Sequence, residues 1–517
     1  MYTVPDLLVR HRGTAASERV AIVDGTRRVT YGDLLERSLS LAASFKDAGL
    51  ARGDRVGIFL RRSVEAVVAL FATHFAGGVA VVINEQLRGS QARYIIEHSQ
   101  AALLATDSRQ LLHAAEPLAD ESRIVNLDRL SPTTPLAMPE RAIGADLALI
   151  IYTSGSTGLP KGVMLSHKNL LSGAQIVADY LDVSERDVIV SLLPFSFDCG
   201  LNQLLTALLA GGTLVVQRSM FPADICRTLR RENVTGMAGV PTLWLQLAQR
   251  HSPFLKMTFP SLRYVTNTGG RLPEPMVRLI RTSHPHVAVY LMYGLTEAFR
   301  STYLPPDEVD RRPSSIGKAI PDVEILVVNE RGRACQPGEV GELVHRGANV
   351  AMGYWRDPEA TAAVFRPHPF EPARAGSREV VVYSGDLVST DAEGYLYFVG
   401  RRDQLIKSSG FRVSPDEIET TIFSSGLVAH AGAFAVPHDE VDSDIVVAVV
   451  PRDPGDFREE GLREFCRRAM PGYMQPRVIW RVDELPLTTS RKPDRPALRA
   501  AYLEGRSSPA VARSSAS

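Results

Sequence analysis

Tyr152-Thr153-Ser154-Gly155-Ser156-Thr157-Gly158-Leu159-Pro160-Lys161-Gly162 is the stretch on which the reading of this chain turns. Leu147–Thr153 reads as an apolar strand that feeds into a loop of hydroxyls and glycines. Glycines let backbone N–H groups converge on an anion, hydroxyls add donors, and a lysine supplies charge. That chemistry suits the phosphates of ATP. It is not the Walker pattern, because Pro160 stands where the second glycine would be. Composition alone also leaves open a flexible polar turn.

Outward from the loop, helices and strands alternate. Thr30-Tyr31-Gly32-Asp33 opens a helical pattern that runs to about Ala48, with Gly49 as its stop. A strand at Val56–Leu60, a helix near Ser63–Phe75 and a strand at Val79–Ile83 follow, then a unit at Ser90–His98 and Ala102–Ala105. The same rhythm returns in Leu147–Thr153, Val188–Leu193, Leu204–Ala210 and Thr213–Val216. Such alternation predicts α/β lobes, sheets with helices on both faces. From about Ile316 to Phe398 the short strands, such as Val323–Val328 and Gly341–Arg346, predict a small β subdomain. A domain boundary is placed at Gly400-Arg401-Arg402-Asp403, so that residues 1–402 form the core and residues 403–503 a smaller α+β domain. Residues 504–517, rich in Ser, Ala and Arg, read as a disordered tail.

Composition narrows the class. The 517 residues are 45% hydrophobic and 22% charged, which are globular values, and the length suggests about three or four compact units. Formal net charge is zero, so electrostatics gives no case for a nucleic acid or an anionic membrane as partner. Cys199, Cys226, Cys335 and Cys466 are scattered, without the spacing of a zinc site or a disulfide framework. They suit a reducing compartment. The N-terminus shows no signal-peptide pattern. The most apolar run, Ala66–Ile83, is broken by Thr73, His74 and Gly77-Gly78, as a buried helix followed by a buried strand would be. A cytoplasmic protein is expected.

The loop resembles, nearly residue for residue, the signature loop of the adenylate-forming superfamily: acyl-CoA synthetases, luciferases and nonribosomal peptide adenylation domains. The resemblance extends from Thr30-Tyr31 to Lys492 through several motifs in the family's order. It implies two α/β lobes, a small β subdomain and a mobile C-terminal cap. It also implies ATP and Mg²⁺, with Thr153, Ser154, Gly155, Ser156, Thr157, Gly158 and Lys161 at the phosphates. Gly269-Gly270-Arg271 resembles the loop beside adenine, although the family often has an acidic or small residue in place of Arg271. Tyr293-Gly294-Leu295-Thr296-Glu297 resembles the motif whose Tyr packs on adenine, whose Thr meets the α-phosphate and whose Glu holds Mg²⁺. Asp386 would accept both ribose hydroxyls, and Arg401 would reach the same sugar. Asp403 matches the hinge, and Lys407 and Gly410 match the loop lining the thiol channel. Lys492 matches the catalytic lysine, with Arg491 in place of the usual Gly. If that position needs positive φ, Arg491 bears strain.

The activity so implied has two halves. An acid is joined to AMP with release of pyrophosphate, under Lys161, Thr296, Mg²⁺ and Lys492; rotation about Asp403 then admits a thiol. The acyl pocket is expected around Asp198, Cys199, Asn202, Thr268, Phe299 and Arg300. Amino-acid-activating members carry Phe-Asp, here Phe197-Asp198, whose carboxylate holds the substrate ammonium. A helix N-cap is the other reading of Asp198. Arg300 pairs with a second substrate carboxylate or with a protein acid; both readings stand. The pocket motifs resemble stand-alone ligases that load amino acids onto carrier proteins, and AMP-forming ligases associated with exosortase gene clusters. A chain of this length is expected to leave no room for a carrier domain and to act in trans.

A small α- or β-amino acid and a phosphopantetheinylated carrier protein are therefore the expected partners. Free coenzyme A with a non-amino acid, or an inactive nucleotide binder, are the alternatives. His284 and His286 lack further ligands nearby for a metal. Arg458, Arg463, Arg467 and Arg468 read as the solvated face of a helix, or as a docking patch for an acidic carrier.

Overall fold

Leu147–Thr153 pairs antiparallel with Lys161–Ser166, and the pairing closes on Thr153 opposite Lys161. That hairpin forms one edge of a six-stranded sheet. Its order is Ile124–Asn126, Ala101–Thr106, Arg55–Phe59, Val79–Val82, Leu147–Thr153, Lys161–Ser166, parallel but for the hairpin. The computed structural model describes the chain except for residues 88, 132, 154–159, 250–251, 371–379, 403, 409–410, 437–443, 489–491 and 508–517.

A second sheet has nine strands, in the order Lys318–Ala319, Thr302–Leu304, Ala288–Tyr293, Tyr264–Asn267, Gly236–Gly239, Val188–Ser191, Thr213–Val216, Val20–Asp24, Arg27–Thr30. Its central neighbours are parallel and its edges antiparallel. The first strand of the chain is thus paired with Thr213–Val216.

The helices start where their caps dictate. Thr30 and Asp33 form a reciprocal capping box for Tyr31–Asp47, Ser63 caps Val64–Phe75, and Ser166 with Asn169 caps His167–Tyr180. Their apolar faces join both sheets in one large core that includes Leu34, Phe45, Phe71, Leu149, Leu170 and Leu204. Asp198–Ala210 lies in the same layer and ends at left-handed Gly211.

The β subdomain is a five-stranded sheet centred on Val381–Thr390, which pairs with Gly341–Gly347, Phe365–Arg366 and Leu396–Arg401. Beyond it, Val428–Val436, Asp444–Pro451 and Val478–Arg481 form a sheet covered by Pro415–Ser424 and Glu459–Ala469. This unit has its own apolar cluster around Ile418, Val447 and Leu462. The composition-based tail begins too early. Residues 504–507 continue the helix Arg495–Ser507, whose alanines favour that state; residues 508–517 lie outside the described residues. Among the described residues no helix is long and apolar enough to cross a membrane.

Candidate active site

Ligands in open α/β sheets usually lie beyond the C-terminal ends of the parallel strands, and Thr153, Asn267 and Tyr293 are such strand ends here. Lys161, half-buried at the mouth of the hairpin, sets its ammonium 5.5 Å from the centre of the Tyr354 ring. Tyr354 donates to Glu297 Oε1 at 2.6 Å. The Glu297 carbonyl accepts from Ala351 N–H at 2.8 Å. Segment 352–355 is laced to the hairpin strand by Met352 N–H to Met164 O, Met164 N–H to Gly353 O and Trp355 N–H to Gly162 O. Burial, then the adjacent Glu297 carboxylate, push the Tyr354 phenol well up, so it stays a donor. Sequence reasoning missed Tyr354. Residues 154–159, the core of the expected phosphate loop, lie outside the described residues.

The expected ribose site has a defined geometry. Asp386 is buried, within the strand Val381–Thr390 and directly after Gly385 at φ +72°. It accepts from Tyr293 Oη at 2.5 Å and pairs with Arg401 Nη1 at 3.2 Å. Burial raises the Asp386 carboxyl, while Arg401, the Tyr293 hydroxyl and the Lys492 ammonium pull it down. Glu342, also unread in the sequence, braces this element by accepting from Gly385 N–H at 3.0 Å and Arg402 at 2.9 Å. Lys492 is exposed on a closed loop, with Lys492 N–H on Thr488 Oγ1 at 3.1 Å and Thr488 N–H on Lys492 O at 2.8 Å. Its positive charge is one of the influences that lower the Asp386 carboxyl. Arg491, Asp403 and Gly410 lie outside the described residues, and Lys407 is described only as part of the strand Ile406–Ser408.

Gly269 has φ +74°, and a Cβ there would lie 3.5 Å from the Phe197 ring. Asn267 Nδ2 holds the Gly270 carbonyl at 2.9 Å. Half-buried Arg271 follows at the same strand end, and Thr296 sits half-buried in the turn before Glu297.

The expected acyl pocket is brought together in part. Cys199 Sγ lies 3.3 Å from Thr268 Oγ1 and accepts from Arg300 Nη1 at 2.9 Å. Burial pushes the Cys199 thiol up to about 11, so it is neutral. Asn202 is buried one turn along, with Nδ2 unpartnered. Asp198 is the first residue of its helix, not its N-cap, which is Phe197; its Oδ1 accepts from Cys199 N–H at 2.8 Å. Phe299 departs from expectation. It adopts φ +54°, the Arg300 N–H closes on the Ala298 carbonyl at 2.6 Å, and the Phe299 ring is fully buried against Gly173. It is a core group, and the turn it makes delivers Arg300 instead. The His284 ring packs on Phe254 and Phe259, and His286 Nε2 lies 3.1 Å from the Phe259 carbonyl.

These residues fit a nucleotide with Mg²⁺. Asp386 Oδ1 is buried with only the Arg401 guanidinium, at 3.2 Å, beside it among the described residues, so a ligand hydroxyl could add a second donor there. Glu297 offers a half-exposed carboxylate bonded to the same Tyr354 whose ring faces the Lys161 ammonium. The AMP-binding enzyme family matches residues 9–355, and the AMP-binding enzyme C-terminal domain matches residues 417–492. Tyrocidine synthase 2 of Brevibacillus parabrevis is 31% identical over 93% of this chain, which spans 13% of that protein. The 2-succinylbenzoate–CoA ligase of Geobacillus sp. (strain WCH70) is 29% identical over 95% of this chain and 96% of its own. The structure of O-succinylbenzoate coenzyme A synthetase from Bacillus subtilis, in complex with ATP and magnesium ion, superposes with a TM-score of 0.83 at 26% identity, covering 95% of this chain and 99% of that one. The chain therefore belongs to the AMP-binding enzyme family.

Proposed function

We propose that this enzyme activates a small α- or β-amino acid as aminoacyl-AMP and transfers it to the phosphopantetheine thiol of a carrier protein. One observation carries the reading. Asp198 is 4% exposed, and no cationic nitrogen lies within 4.0 Å of it among the described residues. A buried carboxylate without a direct ion-pair partner is costly; Arg300 acts on it only through space, and a substrate ammonium would pair with it directly.

The remaining roles follow from placement. Asp386 and Arg401 orient the ribose, and Tyr293 braces Asp386. Lys161, Thr296 and Lys492 donate to oxygens that gain charge as the acyl oxygen attacks the α-phosphorus. Mg²⁺ held by Glu297 supplies further neutralisation of the phosphates. Rotation of residues 403–503 about Asp403 would then exchange Lys492 for the loop at Lys407 and Gly410. The absence of a spanning helix among the described residues and four free cysteines are consistent with a cytoplasmic enzyme.

Full-length similarity to a CoA ligase favours coenzyme A as the second candidate acceptor. Acid-dependent pyrophosphate release, measured across α-amino, β-amino, fatty and aryl acids, tests the first half-reaction. Asp198→Ala should lower kcat/KM for amino acids about 100-fold or more and leave a plain acid nearly unaffected. Release only with acids that lack an amine would overturn the reading. Mass spectrometry of the acylated thiol then separates carrier protein from coenzyme A.

A further inference from the structure

Arg300 is as deeply buried as Asp198, at 4% exposure, and lies beside the same thiol. Among the described residues no carboxylate oxygen comes within 4.0 Å of its guanidinium. Its Nη1 donates to the neutral Cys199 thiol, a weak acceptor, and its Nε is buried with no acceptor. The backbone holds it there. Arg300 O accepts from Asn349 Nδ2 at 3.5 Å, and the next residue, Ser301, bonds His345 at 3.0 Å. The guanidinium also borders the nucleotide motif, since a Cβ on Gly294 would lie 3.8 Å from Nη1. Asn202 Nδ2, one turn along the helix that Asp198 begins, is a second buried donor without an acceptor among the described residues.

The cluster therefore holds a buried anion and a buried cation that do not touch, beside unspent N–H donors. A guanidinium with its planar fork matches a carboxylate. Resting on the amino-acid reading above, we infer that the substrate is an acidic amino acid. Its ammonium pairs with Asp198 and its second carboxylate pairs with Arg300, leaving the remaining carboxylate for adenylation. Each buried protein charge is then matched by one of opposite sign, which an amide or an alkyl side chain does not provide.

ATP–pyrophosphate exchange with aspartate, glutamate and their β-amino isomers, against asparagine, glutamine, leucine, succinate and glutarate, tests this. The acidic amino acids should exceed their amides by about 100-fold in kcat/KM. Arg300→Met should erase that preference and Arg300→Lys restore part of it, with ATP binding by calorimetry reporting that each variant is folded. If neither variant folds, the wild-type panel decides alone. A preference for neutral amino acids, or Arg300→Met harming every acid equally, overturns the inference and leaves the amino-acid reading standing. A preference for succinate or glutarate overturns the amino-acid reading and the inference with it. Silence toward every acidic amino acid overturns the inference as well.

Discussion

Glu297 is held by one phenol. Tyr354 Oη donates to it at 2.6 Å while the same ring faces the Lys161 ammonium, so one neutral side chain meets both a carboxylate and a cation. Tyr354→Phe keeps the ring and removes the donor. We expect about a tenfold fall in kcat/KM, or roughly 1.4 kcal/mol, with a higher Mg²⁺ concentration for half-maximal pyrophosphate exchange. An unchanged Mg²⁺ dependence would show that the carboxylate is positioned without it. Lys161, Glu297, Asp386 and Lys492 could be named from the sequence as candidates because each sits in a contiguous motif, and their roles belong to the proposed function. Tyr354 was not, since its meaning comes from an acid 57 residues away in the chain. Phe299 was misread for a similar reason. Proximity to Glu297 suggests a pocket wall, and nothing in the local sequence signals a left-handed backbone that sends the ring into the core.

The helix His167–Tyr180 supports that turn. A Cβ on Gly173 would lie 2.5 Å from Phe299 Cδ1, closer than such atoms approach. Gly173→Ala must therefore displace a fully buried ring or the helix itself. Overpacking of this kind costs about 1–3 kcal/mol, to be read as a lower urea midpoint. Because Phe299 and Arg300 share the turn, KM for the acid should rise with it, whereas a swap that only loosens the helix would leave KM alone. Periodicity placed most elements to within a residue or two, and Leu147–Thr153 and Val323–Val328 coincide with the observed strands. The end of the last helix was less legible, because Ser and Arg after an alanine-rich run suit either a frayed end or a continued turn.

At the scale of the whole molecule, stability depends on acid through buried imidazoles. His345 is fully buried, and burial holds it down at about 3, far below the 6.5 of a free imidazole. Between those values the unfolded chain binds a proton that the folded protein refuses. Its contribution is therefore intact above about pH 6.5 and is lost as pH falls toward 3. Glu419, raised to about 7 by burial despite Arg495, works in the opposite direction over part of the window, so the comparison must be with wild type. His345→Gln should reduce the slope of unfolding free energy against pH by about 1.4 kcal/mol per unit between pH 6 and 4, measured by urea titration. Parallel slopes for the two proteins would mean that His345 is solvated or already protonated.

The strand Val20–Asp24 has a consequence for synthesis. Made well before Thr213–Val216, its parallel neighbour, it must wait for that strand before its backbone groups on that side are paired. Until then about two hundred residues of chain separate it from its partner, a loop whose closure is entropically slow. The antiparallel ribbon with Arg27–Thr30 leaves one edge of an apolar strand open throughout that interval. The nascent chain thus carries an exposed template for mispairing, and slowing translation ahead of residue 213 should lengthen its dependence on chaperones.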